Sequence, residues 1–203
     1  MRIRIYEDAP APEAIEKVVH ILQQGGVIIY PTDTLYGMGC AIDNARAVER
    51  IMQLKGIKPK NAQFSFICES ISQVAEFARI SDSNFQLMRR NLPGPFTFVL
   101  PGLNRVPSYF ISARKTVGIR IPNNTIPCTI VKELGIPILT TSLPYTGDEA
   151  QYAMYPELME ERWGHAVDIV IDGGVGALEG STVVDCTGKD PDILRQGKGH
   201  LDR

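Results

Sequence analysis

Short apolar runs alternate along this chain with segments of helical period, and that alternation is what most restricts the folds open to it. The runs fall near residues 26–30, 64–68, 96–100, 117–121, 137–141, 168–171 and 182–186, with a weaker one at 192–195. Runs of this length that are rich in β-branched residues predict strands, and helices between them predict a sheet covered on both faces. Pro12 to Gln24 carries Ile15, Val18, Val19 and Leu22 at helical spacing, with Pro12 in the first turn and Gly25-Gly26 as the stop. Asn44 is placed to cap a second helix whose apolar face is Ala47, Val48, Ile51 and Leu54, which delivers Lys55 to a helix C-terminus, where a cation is favoured. Ser81 is read as the cap of a helix through Arg90, and Thr125 as the cap of one ending at Gly135.

Several strands end in hydroxyls. Gly26-Val27-Ile28-Ile29-Tyr30 runs into Pro31-Thr32-Asp33-Thr34-Leu35-Tyr36-Gly37-Met38-Gly39-Cys40, placing two threonines and an acid just beyond a strand, with Gly37 and Gly39 available for a turn or a close approach to a ligand. Pro93-Gly94-Pro95 introduces Phe96 to Leu100, and Ile138-Leu139 leads into Thr140-Thr141-Ser142. Ser181 and Thr182 open Val183-Val184-Asp185. Arg120 interrupts the apolar pattern Val117, Ile119, Ile121, so it needs a partner: a ligand anion, or an internal carboxylate such as Asp33 or Asp185.

The 203 residues are 44% apolar with a net charge of −2, enough to bury a core without metal or disulfides, and they exclude a uniformly basic nucleic-acid binder. The four cysteines are dispersed and read as buried thiols. No apolar stretch approaches the ~20 residues of a membrane helix, and no export signal follows Met1, so the expected location is cytoplasmic with no membrane partner. His20, His165 and His200 lack partners at ligand spacing, which argues against a metal site or a Ser-His-Asp triad. Gly173-Gly174-Val175-Gly176-Ala177-Leu178-Glu179-Gly180 is not a phosphate loop; it is read as a flexible connection bringing Ser181 and Thr182 toward a site. Chemistry without a nucleophile or base constellation is of the kind performed by positioning and charge, as in nucleotidyl transfer.

In order and spacing these segments resemble the YrdC-like family of threonylcarbamoyl-adenylate synthases from about Ala14 to Arg195. Gln63 to Cys68 and Leu143 after Thr-Thr-Ser are more similar to its YciO branch. The resemblance implies an α/β fold of α+β type: one YrdC-like domain over 1–203, three-layered, with a twisted mixed sheet and helices on both faces. It further implies a nucleotidyltransferase that binds ATP with Mg2+, L-threonine and bicarbonate in a basic cleft and serves tRNA threonylcarbamoyladenosine modification. Carried over by motif, Lys55 and Arg120 are the catalytic cations, and Thr32, Thr34, Tyr36 and Thr141 bind substrate. Lys55, Thr140, Ser142, Ser181, Thr182 and Arg195 bind nucleotide. Two positions depart from the family pattern: Ile57 stands where an arginine is expected and Pro144 where an asparagine is expected. The alternative is a non-catalytic paralogue binding nucleotide, tRNA or double-stranded RNA, with Lys58 and Lys60 as RNA contacts.

Overall fold

The structure, a computed structural model, describes residues 1–57, 64–108, 115–144 and 147–203. The strands are β1 (Arg2–Arg4), β2 (Ile28–Tyr30), β3 (Gly37–Ala41), β4 (Ser65–Ile67), β5 (Phe96–Pro101), β6 (Thr116–Arg120), β7 (Ile138–Ser142), β8 (Ile169–Asp172), β9 (Thr182–Asp185) and β10 (Asp192–Arg195). The helices are α1 (Pro12–Gln23), α2 (Ala45–Leu54), α3 (Ile71–Phe77), α4 (Asp82–Asn91), α5 (Thr125–Leu134) and α6 (Pro156–Trp163), with a 3₁₀ helix over Gly147–Ala153. All ten strands join one mixed sheet in the order β1-β8-β2-β3-β7-β4-β6-β5-β9-β10. Among the described residues no helix is long and apolar enough to cross a membrane.

Strand alternation sorts the apolar side chains into two layers. Ile29, Phe66, Leu139 and Val170 join a cluster filled by α2, α3, α4 and α6 through residues such as Ile51, Phe77, Met88 and Met159. Their chain neighbours Ile28, Ile67, Ile138 and Ile169 point the other way, into a cluster filled by Ile15, Val18 and Leu22 of α1 and Ile126, Ile130 and Val131 of α5. Helices therefore lie on both faces, but α1 and α5 pack on only one half of theirs. The register carries the same face from Ser65 to Gly118 and from Ile67 to Arg120, then on to Val99, Asp185, Thr97 and Val183. On this side the face is hydroxyl-rich and charged instead of apolar, and it is left open as a cleft.

The helix ends follow from local chemistry. The Asn44 and Ser81 side chains accept the backbone N–H groups of Ala47 and Asn84, as expected for N-caps. The cap of α5 is Asn124, whose side chain accepts from Ile126, and not Thr125, whose hydroxyl bonds the Glu7 carbonyl instead. Two strands escape the sequence pattern. β1 is polar, and β3 contains the two glycines read as a turn. Gly37 and Gly39 instead make room for Tyr30. A Cβ at Gly39 would fall 2.2 Å from the Leu139 carbonyl oxygen and 3.0 Å from the Tyr30 ring, and one at Gly37 would fall 3.0 Å from that ring.

The two kinds of glycine separate cleanly by experiment. Gly39→Ala forces a backbone clash and is expected to destabilise the protein by at least the ~1–3 kcal/mol of an overpacked core. Gly56→Ala meets nothing within 4 Å and carries only the strain of its φ of +62°, a cost of about 1 kcal/mol. Urea denaturation midpoints that rank the two in the opposite order would refute the packing role of Gly39.

Candidate functional site

The loop after β2 is organised by its own hydroxyls. The Thr32 hydroxyl donates to the Leu35 carbonyl (2.6 Å) and accepts from the Thr34 N–H (3.0 Å), a local turn that turns Asp33 and Thr34 toward β6. Arg120 Nη2 then donates to Asp33 Oδ1 (2.8 Å) and to the Thr34 hydroxyl (2.9 Å), while Asp33 Oδ2 accepts the Asn123 N–H (2.9 Å). The two charged side chains are only 9% and 8% exposed. Burial pushes the Arg120 guanidinium below its ordinary value and Asp33 works against that shift, but an arginine remains charged throughout. Arg120 Nε is buried with no hydrogen-bond partner. The partner left open by the sequence is thus Asp33 and not Asp185, and Arg120 still reaches the cleft.

The cleft encloses about 710 Å³ and is lined by Thr34, Tyr36, Arg120, Thr140, Thr141, Ser142, Ser181 and Arg195 from the sequence-derived set. Its volume lies within the roughly 300–1,000 Å³ of ligand sites. Ser65, Thr97 and Thr116 add hydroxyls that the sequence analysis missed. Their signal is the period-two spacing of Thr116, Gly118 and Arg120 in β6, opposite Val99 in β5, which acquires meaning only once the strand pairing is known. Thr97 and Ser181 share a hydrogen bond of 2.8 Å, and Arg195 Nη2 donates to the Ser181 carbonyl (2.9 Å).

Three candidate residues serve the fold with the groups that were assigned to ligand. Thr32 spends its hydroxyl on its own turn, and it does not line the cleft. Thr182 is fully buried and donates to the Gly199 carbonyl (2.6 Å), anchoring the C-terminal segment instead of contacting the cleft. Tyr36 lines the cleft, but its hydroxyl donates to the Gly174 carbonyl (2.7 Å) and accepts the Gly173 N–H (3.0 Å). Burial holds that phenol protonated. The glycine segment is therefore pinned and not a flexible connection: Gly176 fits against the Tyr36 ring, where a Cβ would come within 2.6 Å. Gly176 also donates to the Met154 carbonyl.

Lys55 closes α2 and stands behind the cleft wall, its ammonium donating to the Thr141 hydroxyl (2.8 Å) and the Ser142 carbonyl (2.5 Å). Burial lowers its pKa. Lys58 and Lys60 lie outside the described residues. Lys198, a cation that sequence reasoning passed over, reaches from the C-terminal segment to the Asp33 carbonyl (2.7 Å). Among the described residues no group of three His, Cys, Asp or Glu side chains is placed to hold a metal. The cysteines are free, and burial pushes the thiols of Cys128 and Cys186 up to about 11, which leaves them poor nucleophiles. What remains is a set of hydroxyls and cations suited to holding an anionic ligand.

Comparison with known proteins gives this arrangement a lineage. The family model Sua5_yciO_yrdC, described as "Telomere recombination", matches residues 20–197. The chain is 36% identical to YciO of Escherichia coli K12 over 198 residues, 97% of this chain and 95% of that protein. The crystal structure of E. coli YciO superposes with a TM-score of 0.91 at 34% identity, covering 98% of this chain and 97% of that one. A threonylcarbamoyl-AMP synthase of Vibrio vulnificus is 25% identical over 186 residues, 90% of this chain and 98% of the synthase. The crystal structure of P. abyssi Sua5 complexed with L-threonine matches at 27% identity and a TM-score of 0.87, covering 97% of this chain and 57% of the Sua5 chain.

Removing one member of a buried ion pair leaves the other unpaired, at a cost of about 3–5 kcal/mol. Asp33→Ala is accordingly expected to lower the unfolding free energy by that amount, with the loss read from chemical denaturation. A loss under 1 kcal/mol would mean that Arg120 finds water or another partner when Asp33 is gone.

Proposed function

The chain belongs to the Sua5/YciO/YrdC family, and from that premise we propose that its cleft performs nucleotidyl transfer of the threonylcarbamoyl-AMP synthase type. L-Threonine, bicarbonate and ATP combine to give threonylcarbamoyl-AMP, pyrophosphate and water, and the product feeds tRNA threonylcarbamoyladenosine modification. The observation that carries this reading is Arg120, a buried cation in a cleft of hydroxyls, one face satisfied by Asp33 and Thr34 and its Nε unpartnered. It offers a fixed positive charge to a carboxylate or phosphate without having to reorganise, which is how positioned charge lowers a barrier. The likeness to Sua5 solved with L-threonine supports the amino-acid half of the reading.

In this scheme Arg120 and Thr34 hold the threonine carboxylate, while Ser181 and Thr140 contribute hydroxyls beside it. Arg195 faces the nucleotide phosphates directly, and Lys55 supports them from behind the wall, its charge relayed through Thr141 and Ser142. Magnesium bound with ATP would neutralise part of the phosphate charge beside Arg195 and Lys55. The chain's own contribution is orientation and charge neutralisation.

A second reading, a nucleotide- or RNA-binding protein without turnover, draws on Ile57 and Pro144. Ile57 N–H donates to the Met52 carbonyl (2.9 Å) and Gly56 N–H to the Gln53 carbonyl (3.0 Å), the two bonds of a Schellman helix ending. An apolar side chain suits that position. Pro144 supplies neither a side-chain amide nor a backbone donor.

Incubation with ATP, Mg2+, threonine and bicarbonate is expected to yield threonylcarbamoyl-AMP and pyrophosphate, with Arg120→Ala reducing the rate by at least tenfold. Joint replacement Ile57→Arg and Pro144→Asn is expected to raise the rate by more than the product of the single effects, since both act on one bound complex. Absence of product in both wild type and double variant, with ATP still bound, would favour the second reading. Binding to RNA that weakens steeply with salt would support it directly.

The lowered pKa of Lys55 fixes the sign of one pH effect. Its charge is lost as pH rises through a value below that of an ordinary lysine, so phosphate affinity is expected to decline on the alkaline side earlier than free lysine would dictate. Lys55→Arg should abolish that decline, and a titration by calorimetry showing the same alkaline limb in both proteins would exclude Lys55 as its source.

A further inference from the structure

The charges along the cleft are segregated. Arg195 Nη2 donates to both the carbonyl and the hydroxyl of Ser181, which shares a hydrogen bond with Thr97, and Arg120 lines the same cleft. Four residues along the chain from Ser181, roughly 13 Å at ~3.3 Å per residue, the opposite end of the cleft carries Asp185, the sole acid among its described lining residues. Between the two ends the wall is apolar, formed by Val99 and Val183 with Leu194, which is 58% exposed.

Among the described residues Asp185 makes no ion pair. Thr187 fixes it: the backbone N–H (2.9 Å) and hydroxyl (2.7 Å) of Thr187 both donate to Oδ1, which leaves Oδ2 without a hydrogen bond among the described residues. Across the ladder, Asp185 stands directly opposite Asp192. Like charges in register oppose each other, so the strand pair accepts a cost at this position. A phosphate would be repelled here and drawn to the arginine end, whereas a neutral group carrying O–H or N–H donors is attracted.

We propose that Asp185 selects and orients the nucleoside end of the ligand, its free oxygen accepting a hydrogen bond from a ribose hydroxyl or from the exocyclic amine of the base while the base lies against Val99 and Val183. The inference rests on the nucleotide reading of the cleft and adds to it a direction: phosphates at Arg195, nucleoside at Asp185.

The test is calorimetric titration of wild type, Asp185→Ala and Asp185→Asn in EDTA, which removes any metal bridge between Asp185 and phosphate. The ligands are AMP, 2′- and 3′-deoxy-AMP, purine riboside monophosphate, which lacks the amine, and inorganic pyrophosphate. Asp185→Asn keeps an oxygen for Thr187, so its turn and melting temperature are maintained, yet it can present an amide donor where the carboxylate accepted. Both variants are expected to bind AMP roughly ten- to a hundredfold more weakly, the range of a hydrogen bond to a charged group. Pyrophosphate affinity is expected to stay the same or rise. The analogue lacking the contacted donor should bind wild type weakly and be indifferent to the substitutions. Indifference of a deoxy analogue assigns the contact to ribose, and indifference of purine riboside monophosphate assigns it to the amine. The proposal is overturned if Asp185→Asn binds AMP as wild type does, or if every ligand including pyrophosphate weakens equally. Wild type that binds no AMP would overturn the nucleotide reading together with it, an outcome distinct from AMP binding that ignores Asp185.

Discussion

The pair between Arg120 and Asp33 ties together two parts of the sheet that are not neighbours in it. Arg120 lies in β6 and Asp33 in the loop after β2, and three strands, β3, β7 and β4, separate them in the sheet. The contact is therefore made over the end of the sheet and not within it. An ion taken out of water costs several kcal/mol even after relaxation, so a guanidinium this deep persists only with its partner in place. Asp33 is itself held at three points, by Arg120 and the Asn123 N–H on its carboxylate and by Lys198 on its carbonyl. The loop is thereby rigid before any ligand arrives, and the cleft inherits that rigidity.

Two tyrosines show how space for this arrangement is made. Tyr30 lies in the layer of α1 and α5, and Tyr36, six residues on, belongs to the opposite layer. Each ring is met by glycines, Gly37 and Gly39 for the first and Gly176 for the second. Tyr30 sits so close to β3 that Gly37 and Gly39 leave no room for a side chain, and β3 can then continue the sheet into β7. Tyr36 uses ring and hydroxyl together to dock the glycine segment that leads into Ser181 and the cleft. Asp172 assists, accepting both the Gly174 N–H and the Arg4 guanidinium.

This accounts for what the sequence made legible and what it did not. Apolar runs and caps are local signals, so α1, α2, α4, α5 and eight of the strands fall close to where the pattern puts them, and the family assignment stands. β3 was hidden because glycine reads as a turn wherever the ring that requires it is not visible. β1 was hidden because Arg2 and Arg4 carry polar side chains on an edge strand. Thr125 and Asn124 are both good caps, and only the backbone decides between them. At the site, Thr32 and Thr182 look like ligand residues because a hydroxyl beside a strand end serves a turn or a ligand equally well in sequence. Ser65, Thr97 and Thr116 look like ordinary strand residues because their shared face exists only after β4, β5 and β6 pair.

Ile57 brings fold and chemistry to one position. The helix α2 ends through Gly56 with a left-handed φ, and the next residue closes the Schellman bond to Met52. That geometry favours an apolar side chain lying back on the last turn, whereas a family arginine at the same place would have to extend toward the ligand. The chain has settled the competition in favour of the helix ending. Under the proposed nucleotide reading, anion binding on this wall falls to Lys55, two residues earlier, whose ammonium is held by Thr141 and Ser142 at the end of β7. A lysine in that setting delivers charge without the planar fork of an arginine, so it can neutralise a phosphate but does less to fix its orientation. In that reading binding is better provided for than turnover on this side of the cleft, and orientation comes from Arg195, Ser181 and the buried Arg120, which are already fixed in place.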